Sequence, residues 1–128
     1  MYDRKLVNHL LGQVIDAIEK IERRFKPVTE IVDFTDTPEG IDRLDSICMT
    51  LIAVGESLKN LDKITDRTLL NRHPEIDWKG AMGLRDIISH HYFDIDAEEI
   101  FWVCNHQLKP LKRAIKKMLQ EESNTVGN

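Results

Sequence analysis

The stretch VNHLLGQVIDAIEKIERRF (Val7–Phe25) decides the fold class. Val7, Leu11, Val14, Ile18, Ile21 and Phe25 fall at alternating steps of four and three, which draws one apolar seam down the face of a helix. Asp16, Glu19, Lys20, Glu22 and Arg23 fall off that seam and are expected to face water. Pro27 ends the helix, because proline disfavours helical geometry in the residue before it. No run of residues in this stretch alternates with the two-residue period of a strand, and the same helical pattern recurs along the chain.

In PVTEIVDFTDTPEG (27–40), turn residues surround one short apolar piece, Ile31–Phe34, read as a single helical turn. A second long helix is predicted from Pro38 or Ile41 to about Leu61. Thr37 suits its N-cap and Pro38 its first helical position. Leu44, Cys48, Leu51, Val54 and Leu58 carry its buried face. Gly55 in its interior costs about 1 kcal/mol relative to alanine, which predicts a close approach by another helix. A short helix is expected over Asp66–Arg72, then one over Trp78–His90 with Asp77 as its cap. The last helix begins at Asp96, where DAEE places three carboxylates at the positive end of the helix dipole. Its stripe is Ile100, Val103, Cys104, Leu108, Leu111, Ile115 and Met118, and Pro110 is expected to kink it. The chain therefore reads as all-α, an up-and-down bundle of four to five helices. Residues 1–120 form one domain, and 121–128 are expected to be a disordered tail, too polar and small to pack.

The composition agrees. The 128 residues are 41% hydrophobic and 31% charged with four prolines and six glycines, as in a globular domain with a real core. A net charge of −4 gives no global sign of nucleic-acid binding. The charged start MYDRKLVNHLLGQ is unlike a signal peptide, and the longest nearly apolar run, Ile47–Gly55, is far short of the ~20 residues of a membrane span. The two cysteines, Cys48 and Cys104, lie on apolar faces without CxxC spacing and read as reduced core residues. A cytoplasmic protein with no membrane association is expected.

Reactive side chains concentrate in GLRDIISHHYFDID (Gly83–Asp96), where a helix is about to end. Asp86 and His90 are four apart, so the carboxylate is able to hold an imidazole nitrogen. Arg85 and His90 are five apart, about 140° around a helix. Arg85, His90 and Tyr92 meet only if the helix loosens at His90. Such a set suits metal-free cleavage of RNA. An imidazole takes the proton of a ribose 2′-hydroxyl or gives one to the leaving oxygen, and a guanidinium meets the charge growing on the phosphoryl oxygens. A tyrosine donates to a phosphate or stacks on a base. One copy supplies a single imidazole where acid and base each want a group; a symmetric dimer supplies two. The plainer alternative is that these residues only cap carbonyls and cover the edge of the core.

Arg85, His90 and Tyr92 spell RxxxxHxY. HPEIDWKGAMGLRDIISHHYFDIDAEEIFWV (73–103) resembles the signature region of the HepT-like branch of the HEPN superfamily, including the tryptophan before the motif and the HxYFxID after it. LIAVGESLKNL (51–61) is similar to that family's second long helix, and LKPLKRAIKKM (108–118) to its last. The resemblance spans nearly the whole chain, although only the RxxxxHxY region is specific. It implies a HEPN fold, a homodimer with the motifs facing each other, no cofactor, and metal-independent endoribonuclease activity. It further implies a toxin role, with an MNT-type nucleotidyltransferase as antitoxin partner. On that resemblance Arg85 stabilises phosphoryl charge, His90 is the acid–base group, Asp86 orients or assists, and Tyr92 is the residue that receives AMP. Where many relatives carry HGYF this chain has HHYF, so His91 is either a second imidazole for the cleft or a surface residue; adjacent side chains point apart, which favours the surface.

Arg72, Lys79, Lys112 and Arg113 are candidate guides for an RNA substrate, although lysines near a helix C-terminus also suit the dipole alone. His9, His73 and His106 are scattered singly and read as surface or helix-end residues, and no Glu-x-x-His pair on facing helices suggests a metal site. The rival to a nuclease is a HEPN-like binding module that holds a nucleotidyltransferase or a nucleotide without cutting RNA.

Overall fold

The computed structural model describes residues 2–90 and 92–126, and the side chains of all of these except residues 92 and 123–126. Among the described residues all regular structure is helical: α1 (Arg4–Phe25), α2 (Val32–Thr35), α3 (Pro38–Ile64), α4 (Trp78–His90), α5 (Ala97–His106) and α6 (Leu108–Val126), with 3-10 turns at Leu70–Arg72 and Tyr92–Asp94. None of these helices is long and apolar enough to cross a membrane. The long helices lie side by side, with α1 against α3 and α6, and α4 on α3; α5 touches α1, α3 and α6.

The seam of α1 is buried at Val7, Leu11, Val14, Ile18 and Ile21, and Leu10 and Ile15 widen it. Asp3 caps the helix by accepting from the Leu6 N–H. The pairing of α1 with α6 is antiparallel, as polar contacts at both ends show. At one end the Tyr2 hydroxyl donates to Glu122 at 2.8 Å. At the other, Lys112 reaches Glu22 at 2.8 Å and Glu19 at 3.2 Å. Hydrogen bonding to Glu22, more than the opposing desolvation, raises the Lys112 pKa. Tyr2 is also raised, chiefly by burial and then by its bond to Glu122. Glu122 is buried and α6 continues to Val126, so helix and packing extend past residue 120.

Thr37 caps α3 as its sequence predicts, accepting from the Gly40 N–H at 3.0 Å, with Pro38 at the first position. α2 is a single turn, too short to be stable alone. Asp33 accepts from the backbone N–H groups of Thr29 and Glu30, which hold its carboxyl below the usual range. Gly40 lets the turn dock: a Cβ there would lie 2.1 Å from the Asp33 carbonyl oxygen. Phe34 is fully buried and meets Phe25, its ring centroid 6.1 Å away. Phe34→Ala is therefore expected to cost about 3–5 kcal/mol of stability, read as a lower midpoint in urea denaturation. A loss under about 1 kcal/mol would mean that α2 undocks without disturbing the bundle.

Two predicted elements differ. The expected helix over Asp66–Arg72 is only the 3-10 turn Leu70–Arg72, because Asp66 and Arg67 adopt left-handed backbone with φ of 53° and 62°. The last helix is divided in two at Gln107, three residues before Pro110. Pro110 has no N–H to give the His106 carbonyl, and its ring crowds that group, so the break falls one turn upstream. In the third position of α6 the missing N–H costs nothing, since first-turn donors lack intrahelical partners anyway.

Cys48 and Cys104 are free and buried, one on α3 and one on α5. Burial pushes both thiols up to about 12, with Asp45 adding to the effect at Cys48. Both folded values lie above the ordinary thiol value, so this contribution to stability is complete below about pH 8.5 and is lost as pH rises toward 12. Neither thiol is expected to react with a thiol-specific reagent near pH 8 until denaturant is added. Rapid labelling of the folded protein would show that the α3–α5 contact opens.

Candidate active site at the end of α4

α4 is anchored at its start. The Asp77 carboxylate accepts from the Gly80 N–H at 3.0 Å, and the Trp78 indole N–H donates to the His73 carbonyl at 2.8 Å. Leu84 and Ile88 bury its inner face. Gly55 of α3 sets how closely α4 approaches. A Cβ there would stand 3.3 Å from the Arg85 Cβ and 3.3 Å from the Met82 carbonyl oxygen. The sequence expectation for Gly55 is thus met, and the helix that approaches is the one carrying Arg85.

The close approach brings Arg85 to Glu56, the residue after that glycine. Arg85 Nε pairs with Glu56 Oε1, and its NH1 lies 3.2 Å from Asp86 Oδ1. All three side chains are 42–58% exposed. Pairs of this kind contribute about 0–1 kcal/mol to stability, so their main effect is to orient the guanidinium. A guanidinium has five N–H donors; among the described residues these contacts take two, which leaves the others for an anion.

His90 is the last residue of α4 and is exposed. Among the described residues nothing hydrogen-bonds its ring. Asp86, spaced to reach it, turns to Arg85, because a charge-assisted bond to a guanidinium outweighs one to an imidazole in water. Beyond His90 the backbone passes into the 3-10 turn Tyr92–Asp94. His91 and the Tyr92 side chain lie outside the described residues.

The candidate guides separate. Lys79 is exposed on the first turn of α4, six residues and about 9 Å along the axis from Arg85. Arg72 is tied elsewhere, 4.0 Å from Glu122 and 3.4 Å from the Tyr2 hydroxyl. Lys112 is the strut between α6 and α1, and Arg113 is exposed on α6. His9 and His106 are exposed, whereas His73 is 3% exposed between Glu75 and Glu121, at 3.6 and 3.4 Å. It ends a 3-10 turn, yet it is interior, because the α3–α4 connection folds beneath α6.

Sequence reading missed Glu56. No spacing rule links it to Arg85, although its place beside the interior glycine marks the side on which another helix arrives. An apolar hollow of about 380 Å³ also opens between α3, α4, α5 and α6. Ile87 and Trp102 line it and remain 44% and 52% exposed.

The profile of a family described as “Ribonuclease HepT-like” matches residues 14–118. A Methanocaldococcus jannaschii protein that carries a provisional RNase name is 32% identical over 108 residues, covering 76% of this chain and 85% of the relative. A Caldanaerobacter subterraneus protein, also provisionally named an RNase, is 24% identical over 93% of this chain and 96% of its own length. A Thermococcus cleftensis protein named as a probable ribonuclease HepT is 27% identical over 84% of this chain and 91% of its own. No solved structure matches the chain significantly.

Proposed function

The chain belongs to the HepT-like ribonuclease family, and on that premise we propose that it is an endoribonuclease that cleaves RNA without a metal ion. One observation carries the reading: Arg85, oriented by Glu56 and Asp86, shares the last two turns of α4 with an exposed His90 whose ring nothing bonds among the described residues. His90 removes the proton of a ribose 2′-hydroxyl, or supplies one to the leaving 5′-oxygen. The 2′-oxygen attacks phosphorus, the bond to the 5′-oxygen breaks, and a cyclic phosphate remains. Arg85 meets the charge that builds on the non-bridging oxygens, and Asp86 steadies it.

One chain offers one such imidazole. A homodimer with two α4 ends across a shared cleft provides both the acid and the base. The exposed Ile87 and Trp102 beside an apolar hollow support such a contact on the α4–α5 side.

We further propose a toxin role, checked by an MNT-type nucleotidyltransferase that transfers AMP to Tyr92. Attack of the tyrosine oxygen on the α-phosphorus of ATP forms the phosphodiester and releases pyrophosphate. The new negative charge, two residues from His90, pairs with Arg85 and fills the cleft.

The test is cleavage of tRNA in EDTA by protein whose intact mass shows Tyr92 unmodified, beside His90→Ala. Cutting that disappears in the variant is expected. Intact RNA with both proteins would overturn the nuclease reading and leave the non-cleaving binding module.

A further inference from the structure

Beside Arg85 the space between α3 and α4 opens into a polar groove of about 840 Å³ that also takes in the turn after α3. Lys59 and Lys63 line it from α3, one helical turn apart on the same face. Arg67 would continue this series had the helix gone on, but α3 ends at Ile64. Arg67 lines the groove all the same, because the chain turns back there through two left-handed residues, Asp66 and Arg67.

Left-handed backbone is uncommon for an arginine, and two such residues in succession hold only where the surroundings fix them. Three bonds do so here. The Arg67 N–H donates to the Asp62 carbonyl at 2.8 Å, the Thr68 hydroxyl to the Thr65 carbonyl at 2.6 Å, and the Asn71 amide to the Arg67 carbonyl at 2.6 Å.

The groove carries a small positive balance within an acidic chain. Lys59, Lys63, Arg67 and Arg85 face Glu56, Asp62 and Asp66, four cations to three carboxylates, or +1, in a chain whose net charge is −4. Among the described residues no carboxylate pairs with Lys59, Lys63 or Arg67, while Arg85 at the end of the groove pairs with Glu56 and Asp86. Ser57 and Asn60 add neutral hydrogen-bonding groups to its lining. Three unpaired cations ranged along a wall that ends at a guanidinium are suited to a flexible polyanion more than to a small anion.

We propose that this groove is a subsite for the phosphate backbone of single-stranded RNA, in which Lys59, Lys63 and Arg67 hold the strand on one side of the phosphate that Arg85 engages. The identity of the polymer rests on the ribonuclease reading. The contacts are to phosphates, so the groove fixes register and carries no base preference. Asp62 and Asp66 temper the attraction, and the fixed turn spares the cost of ordering Arg67 when RNA arrives.

The test is binding of a fluorescent 2′-O-methyl RNA of about 12 nucleotides, which lacks the attacking hydroxyl and is not consumed, followed by anisotropy over a range of salt. The triple variant Lys59→Glu, Lys63→Glu, Arg67→Glu is expected to bind at least about 10-fold more weakly. Its slope of log affinity against log salt should fall by about 2, from three lost phosphate contacts at ~0.7 each. A control with Lys5→Glu, Lys20→Glu and Lys116→Glu, all exposed and outside the groove, makes the same charge change and should bind almost as the native chain does. Equal losses in the two triples, or none in the groove triple, would overturn the proposal, and the second result would leave the groove to an acidic protein partner. No binding by the native chain at low salt would overturn it too. Cleavage that depends on His90 is a separate readout, so the subsite can fail while the nuclease reading stands.

Discussion

His90→Ala is expected to lower the rate of RNA cleavage by about 10²–10⁴-fold, the range for removing a positioned general acid or base. Its exposed ring, unbonded among the described residues, makes it a poor contributor to the fold. The variant should therefore melt within about a degree or two of the native protein, since surface substitutions usually shift stability by less than about 0.5 kcal/mol. That pairing of a large kinetic loss with a negligible thermal one separates chemistry from structure. Single-turnover cleavage of tRNA in EDTA gives the first number and a thermal melt the second. A variant that cuts at the native rate would remove His90 from the reaction. One that is slow but also melts far lower would recast His90 as a structural cap of α4.

Arg85→Ala is expected to cost about 10²–10³-fold, as when one donor to a developing phosphoryl or oxyanion charge is deleted. Arg85 is 42% exposed in its pair with Glu56, which limits what that pair gives to stability. Arg85→Lys should recover only part of the loss, because an ammonium keeps the charge and lacks the planar fork. Glu56→Gln makes the finer distinction. Glu56 acts through Arg85 as a positioning residue, so its replacement should lower the cleavage step by roughly 10-fold and leave KM little changed, with Glu56→Asp restoring part of the rate. If Glu56→Gln speeds cleavage instead, the ion pair competes with the phosphate for the guanidinium, and Glu56 restrains the site.

Much of the architecture is legible in the chain. The seam of α1, the Thr37 cap of α3, the span of α4 and the stripe through Ile100 and Met118 are all local matters of period and capping, and each forms as its residues dictate. The misreadings are physical. The Asp66–Arg72 segment has helical composition, yet bonds from Arg67 back to Asp62 and from Asn71 to Arg67 hold a left-handed turn that propensity alone disfavours. Pro110 marks a break, but the proline acts on the carbonyl four residues before it, so the division falls upstream of the residue that signals it. His73 looks like a surface histidine until the α3–α4 connection is seen to pass beneath α6.

The RxxxxHxY spacing names Arg85 and His90, and the family supplies the class of reaction. Spacing along one helix cannot say what faces it from another. Asp86 stands where it could reach His90 and turns to Arg85 instead. Glu56 meets Arg85, 29 positions further along the chain, in a contact between two helices that the missing side chain of Gly55 lets pack closely. By itself, then, the sequence determined the helices and their buried faces and marked the candidate site residues, because periodicity, capping and side-chain chemistry are local properties. Only the tertiary structure decided which carboxylate orients Arg85 and which cations share its groove, because those depend on how closely two helices pack and on a turn held by its neighbours.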